Sequence, residues 1–380
     1  MQSLAFDYHD TLEQLNENVS LPEKIRAIHR VIQERIGGIE RIAAALYDPK
    51  TDLIKTFVDS TCGDDRLLHY RQARLAESPS LQEILHSGHP RVLNDLAGHA
   101  GLASQFADTL TRLGYASSYT MPMYHGGAFF GFLFFDSCLA GHFTPERLHA
   151  LDVFGHLIAL VIIHDLSRFR TLVCAVKAAR DLTHHRDMET GAHLDRMAYY
   201  ARLIARTLAQ RYDLSDDFVE KIFLFAPLHD VGKIGLPDNI LRKPGNLTPE
   251  EYEVVKTHTV RGREIVDTLV ADFGLTDLED VDLLRNIATY HHESLNGSGY
   301  PTGLTGAEIP LEARIIAVAD VFDALTSRRP YKSAWNNKEA FAFLHQLAGT
   351  KLDLACVEAL LSHAAEIEQI QKQFSEDSIG

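Results

Sequence analysis

The 380-residue chain carries 37 Lys+Arg against 52 Asp+Glu, a formal charge of −15 with histidine neutral. That balance disfavours a general nucleic-acid-binding surface, and the length gives room for about two or three domains, each able to bury a core. With 46% hydrophobic residues, four scattered cysteines and no apolar run approaching the about 18 residues that span a bilayer, neither a disulfide miniprotein nor a membrane-spanning protein is expected. Asp7 and Asp10 stand where a secretory leader would be basic and then apolar, so the expectation is a cytoplasmic protein with no membrane partner.

Ile25, Ile28, Ile32 and Ile36 recur at helical spacing over 21–36 and stop at Gly37-Gly38. Ile42 to Tyr47 and Leu53 to Val58 then flank Asp48-Pro49 as two strands. Ser117, Tyr119, Met121 and Met123 alternate toward His125-Gly126-Gly127, beyond which Phe129 to Phe135 completes a hairpin signal. Thr144-Pro145 opens a helix that can run from about 146 to 180. Its stripe of Leu151, Phe154, Ile158 and Val161 suits either packing on the sheet of its own domain or a parallel helix pair. From Asp181 to about 370 the pattern is helical almost throughout, as at Thr248-Pro249-Glu250-Glu251, a capping box with proline at the first helical position. The fold class is α+β: an antiparallel sheet with flanking helices over 1–165, a helical connector over 166–185, and an all-α domain over 186–380.

The element order of the first part, especially from Tyr119 through GFLFFDS to FTPERLHALDVFGHLIALVI, resembles a GAF domain. The resemblance implies a sensor for an unidentified small ligand, with a ligand-free dimerisation module as the alternative.

Chemistry concentrates in the second half. His-Asp occurs three times, at His9-Asp10, His164-Asp165 and His229-Asp230, so the dipeptide alone means little. Only His229-Asp230 ends an apolar run, IFLFAPL, and precedes Val231-Gly232-Lys233. On its own that pair reads as a helix C-terminal cap. An aspartate there can also bridge two cations, since each oxygen can serve a separate metal, while imidazole is a neutral donor suited to iron, manganese or zinc. Glu189 and His193 are four residues apart on one helix face. His258 falls in the helix expected to start at Pro249, and His291-His292 precede the glycine-rich GSGYP loop. Asp320 and Asp323 share a face of an otherwise apolar helix, IIAVADVFDAL, where acids need cations or donors. Glu189, His193, His229, Asp230, His258, His291, His292 and Asp320 make eight candidate ligands, enough for two or three ions. Sites of this N/O type brace both oxygens of a phosphoryl displacement, whereas structural zinc favours a closed, cysteine-rich set.

The segments RDMETGAHLDRM, LHDVGKIGLPDNILRKPGNLTPEEY, VKTHTVRGREI, ATYHHESLNGSGYPTGLTGAEIP and RIIAVADVFDALTSRRPYK, in this order over about 170–370, resemble the HD-GYP family of metal-dependent phosphohydrolases. The resemblance implies metal binding by the same eight residues, with iron or manganese favoured. It implies hydrolysis of cyclic di-GMP to pGpG or GMP by a metal-activated hydroxide in bacterial signalling, with Asp230 and Lys233 as catalytic residues. By the same resemblance Lys233, Asp323, Arg329 and Lys332 hold substrate. Gly299, Tyr300 and Pro301 form the name-giving loop, for substrate or for partner proteins. Asn296 stands where the family commonly has aspartate, and Thr259 where it commonly has proline. Two rival readings are hydrolysis of another cyclic dinucleotide, such as cyclic GMP-AMP, and a receptor that binds without cleaving. A homodimer through the connector helix is also expected, and binding of a nucleic-acid polymer is not.

Overall fold

The computed structural model describes residues 10–62, 71–99, 105–182, 191–272, 281–327 and 334–375. It divides into two compact units, residues 1–167 and 168–380.

In the first unit, helix α1 (Leu21–Arg35) starts in a capping box in which the Ser20 amide donates to Glu23. Six strands follow, β1 (Arg41–Asp48), β2 (Leu53–Thr61), β3 (Gln72–Arg74), β4 (Arg91–Leu93), β5 (Ser117–His125) and β6 (Ala128–Ser137), with helices α2 (Pro79–Ser87) and α3 (Gln105–Arg112) between them. They form one antiparallel sheet in the order β3-β2-β1-β6-β5-β4. Strand side chains alternate between faces, and both faces are covered here, so β1 is buried almost without interruption. Ile42, Ala44 and Leu46 meet α1 and the start of α4 (Pro145–Leu182), while Ala43 and Ala45 meet Phe132, Phe134 and Ile84 on the other face.

The two readings of the α4 stripe separate here. Leu151 and Ile158 are fully buried, with Phe154 and Val161 packed beside them in the sheet's own core. Among the described residues, the large apolar side chains that α4 leaves exposed are instead Val153 (69%) and Leu160 (64%). One sequence expectation needs correcting. Pro145–Ser167 reaches a mean hydropathy of 1.6 over an 18-residue window, long and apolar enough by composition to cross a membrane. Isolated polar residues interrupt the run without lowering its average, and the buried stripe accounts for much of that hydropathy.

The second unit is helical: α5 (Gly191–Tyr212), α6 (Asp216–Phe225), α7 (Asp238–Leu241), α8 (Pro249–Lys256), α9 (His258–Asp272), α10 (Val281–Tyr290), α11 (Leu311–Thr326), α12 (Asn337–Leu347), α13 (Leu354–Leu361) and α14 (Ala364–Gln373). Its described residues include no strand beyond the isolated bridges Asn296–Thr305 and Ala348–Leu352. Helix α5 is the central element, packing against α6, α11, α13 and α14 with Met197, Tyr200, Ala201, Ile204 and Ala205 all buried. The capping box at Thr248 and Glu251 is present, but α8 ends at Lys256. His258 is therefore the first residue of the next helix rather than an interior residue of the capped one.

Candidate metal centre

Helix α6 runs into a 3-10 turn, Ala226–Leu228, that delivers His229 and Asp230, and a second such turn, Val231–Gly235, leads away. Gly232 lets the start of α9 approach this corner. A Cβ at that position would lie 1.8 Å from the His258 carbonyl oxygen, so no other residue fits without displacing backbone. The approach places His258 Nε2 3.0 Å from Asp230 Oδ1. The end of α10 adds His291, whose Nε2 lies 3.5 Å from the same oxygen and 3.4 Å from His258 Nε2. Asp230 Oδ2 faces the other way, 3.2 Å from His229 Nε2 and 2.6 Å from Lys233 Nζ.

The ring tautomers follow from backbone geometry. His229 Nδ1 lies 2.9 Å from the Ala226 carbonyl, His258 Nδ1 2.7 Å from that of Val255, and His291 Nδ1 2.9 Å from that of Ile287. A carbonyl only accepts, so each Nδ1 carries the proton, and a neutral ring then presents a bare lone pair at Nε2. Burial pushes the His291 pKa down, and burial together with His291 pushes that of His292 well down, which keeps both rings neutral. Burial alone would raise the Asp230 carboxyl, yet the Lys233 ammonium beside it holds it well below the usual carboxylate range. Imidazole lone pairs converging on an ionised carboxylate repel one another unless a cation sits among them.

The donors fall into two groups, each with its ligand atoms within 4.8 Å of one another: Asp230, His258, His291 and His292, and then His193, His229 and Asp320. Two adjacent nitrogen and oxygen pockets joined by one aspartate match the donor chemistry of paired divalent transition metals. Seven of the eight ligands expected from sequence are thus assembled. Glu189, the eighth, lies outside the described residues, as do Arg329 and Lys332.

Asp323 takes a different place from the expected substrate contact. It is fully buried, with Oδ2 2.7 Å from His193 Nδ1, and it receives Arg196 Nε at 2.7 Å, Arg196 Nη2 at 3.0 Å and Ser327 Oγ at 2.8 Å. With both oxygens engaged, it orients His193 toward the second donor group. Arg196 itself escaped the sequence reading. Its signal was its position three residues after His193, on the same face of α5.

The GYP segment closes over the first group. Asn296 Oδ1 accepts from the Ser298 amide at 3.1 Å and hydroxyl at 2.7 Å, the local turn that an aspartate would also support. The Tyr300 ring lies 4.8 Å from the His292 ring, and its amide donates to the His292 carbonyl at 3.2 Å. Burial raises the pKa of its hydroxyl, so the phenol is neutral. Thr259 is fully buried, and its hydroxyl donates to the Lys256 carbonyl.

Residues 185–356 match the HD domain family and residues 25–162 match the GAF domain family. This chain joins a GAF domain to an HD domain. The chain is 48% identical over 191 residues to the cyclic di-GMP phosphodiesterase response regulator RpfG of Xanthomonas campestris pv. campestris, covering 50% of this chain and 48% of that protein. It is 42% identical over 192 residues to a cyclic di-GMP phosphodiesterase of Thermotoga maritima, covering 50% of this chain and 49% of the relative. It is also 38% identical over 186 residues to 3'3'-cGAMP-specific phosphodiesterase 2 of Vibrio cholerae, covering 49% and 34%. The chain spans about half or less of the length of these relatives, and in each case about half of this chain is matched.

Proposed function

We propose that the HD domain hydrolyses a phosphodiester bond of cyclic di-GMP to give pGpG, GMP or both, and that the GAF domain regulates it by binding a small ligand. The observation that carries this reading is the split of Asp230, one oxygen toward the bare Nε2 atoms of His258 and His291 and the other toward His229. Two divalent ions, iron or manganese, would be held by Asp230, His258, His291 and His292 and by His193, His229 and Asp320, with Glu189 a candidate ligand for a third. When bound, such a pair lowers the pKa of a water and neutralises charge building on the phosphoryl oxygens. Lys233, about one-fifth exposed at its side chain, holds Asp230 in orientation and offers an ammonium to a substrate phosphate. Arg329 and Lys332 are proposed to add positive charge for the dianionic substrate, and Gly299, Tyr300 and Pro301 to form one wall of its site. Partner proteins at that loop, a cytoplasmic location and a homodimer through α4 complete the proposal.

The second reading, a substrate such as 3'3'-cGAMP, is supported by the relative of that name and by Asn296 in place of the family's usual aspartate. Manganese-loaded protein incubated with each dinucleotide, with products resolved by chromatography, separates the two. Preferential cleavage of cyclic di-GMP is expected, and preferential cleavage of the mixed dinucleotide would transfer the assignment. Binding of either without cleavage by metal-loaded protein would leave the receptor reading standing.

A further inference from the structure

Next to the ligand His292 stands Glu293, a carboxylate only 4% exposed that neither the metal groups nor the motif reading uses. Its Oε1 receives the Thr302 amide and hydroxyl, both at 2.8 Å, and the Gly303 amide at 3.1 Å, while Oε2 receives the Leu304 amide at 3.1 Å. These donors come from the far limb of the loop that begins at Ser294, so one buried side chain ties that limb back to the end of α10. The base of the loop is closed separately, by the Asn296–Thr305 bridge and the Gly306 amide on the Leu295 carbonyl. At Gly299 the fold is so tight that a Cβ would lie 2.3 Å from the Ser294 nitrogen. Tyr300 sits between the base and the Glu293 strap, its ring against His292.

We propose that Glu293 is a positioning residue that holds the 294–305 loop, and Tyr300 with it, as a fixed substrate wall beside the metal-ligand histidines. The proposal rests on the hydrolase reading for the identity of the substrate. Charge-assisted bonds from three backbone amides and a hydroxyl are stronger than neutral ones and weaken together when their acceptor loses its charge. Glutamine at 293 would keep one acceptor oxygen and turn the other into a donor facing an amide hydrogen. The rings of His193, His229, His258 and His291 would stay in place, because their orientations are set by Asp323 and by the carbonyls of Ala226, Val255 and Ile287.

The test compares Glu293→Gln and the milder Thr302→Ala with the parent chain, all manganese-loaded, by metal count, amide hydrogen exchange over 298–305, and KM and kcat for cyclic di-GMP. Glu293→Gln is expected to keep its metal, exchange faster at 302–304 and raise KM about 10-fold or more with kcat within about threefold. Thr302→Ala should move KM in the same direction by a smaller factor. Unchanged exchange in Glu293→Gln overturns the proposal, as does metal loss with KM of the loaded fraction unchanged. If the parent chain neither binds nor cleaves cyclic di-GMP, the hydrolase reading fails, while the exchange data still decide whether Glu293 holds the loop.

Discussion

Asparagine at Asp230 would leave one acceptor oxygen and place an amide donor in the other position, so one metal pocket loses its anionic ligand and the bridge is broken. Removing the partner at Asp323 acts at one remove. Asp323→Asn should weaken metal affinity about 10- to 100-fold by freeing the His193 ring, as measured by chelator competition, with the second donor group affected first. Unaltered affinity would mean that the His193 ring is held without the Asp323 charge. A residue of the first unit sets an acid limit on stability. His29 is buried, with Nε2 2.7 Å from the Ile39 carbonyl and Nδ1 2.8 Å from Ser60 Oγ. Burial lowers its pKa below the ordinary 6.5, outweighing the raising effect of the Ile39 carbonyl. The unfolded chain then binds more protons than the folded one below about pH 6.5, so stability present above that value is lost as pH falls toward the lowered pKa. Urea melts near pH 7.5 and 5.5 should show a smaller acid loss for His29→Gln than for the parent, and an equal loss would exclude His29 as the cause. At this scale much of the centre was legible in the sequence, because ligands are chemically distinctive residue types. Arg196 and Glu293 were not, since an arginine or glutamate reads as solvated surface until packing shows it buried.

Elements decide whether those ligands meet. The corner after α6, the start of α9 and the end of α10 converge because Gly232 permits backbone to touch backbone. Gly232→Ala should destabilise the protein by about 1–3 kcal/mol through overpacking and lower its metal content, read by thermal melting and metal count. A variant with normal stability and full metal would show that the corner relaxes without moving Asp230. The capping box at Thr248 was readable from its four residues, but the break at Thr257 was not, because no glycine or proline marks it. Likewise, the periodicity of α4 announced a buried stripe without saying what buries it. The sheet does so, since Leu151 and Ile158 lie in its core. Strands β3 and β4, three residues each, are too short to carry an alternation that a sequence scan can register.

Across the whole molecule, a chain of net charge −15 is proposed to accept a dianionic substrate, which requires local positive charge such as that of Lys233. Lys233→Ala should therefore retain its metal and lose most of its turnover, whereas loss of metal in that variant would make the lysine a support for Asp230 alone. Val153 and Leu160, seven residues apart and exposed on α4, are apolar residues that a parallel homodimer would cover, and mass in solution at micromolar concentration checks this. A dimer is expected, and a monomer for the parent chain would remove that part of the account. The central claim, that Asp230 joins two metal pockets for phosphodiester hydrolysis, is tested most directly by anaerobic manganese loading of the parent chain and Asp230→Asn. Metal per chain and conversion of cyclic di-GMP would be measured side by side. The account predicts at least two ions and pGpG or GMP from the parent, with both ion count and turnover falling in the variant. Undiminished turnover in Asp230→Asn, or turnover by metal-free protein, would contradict it.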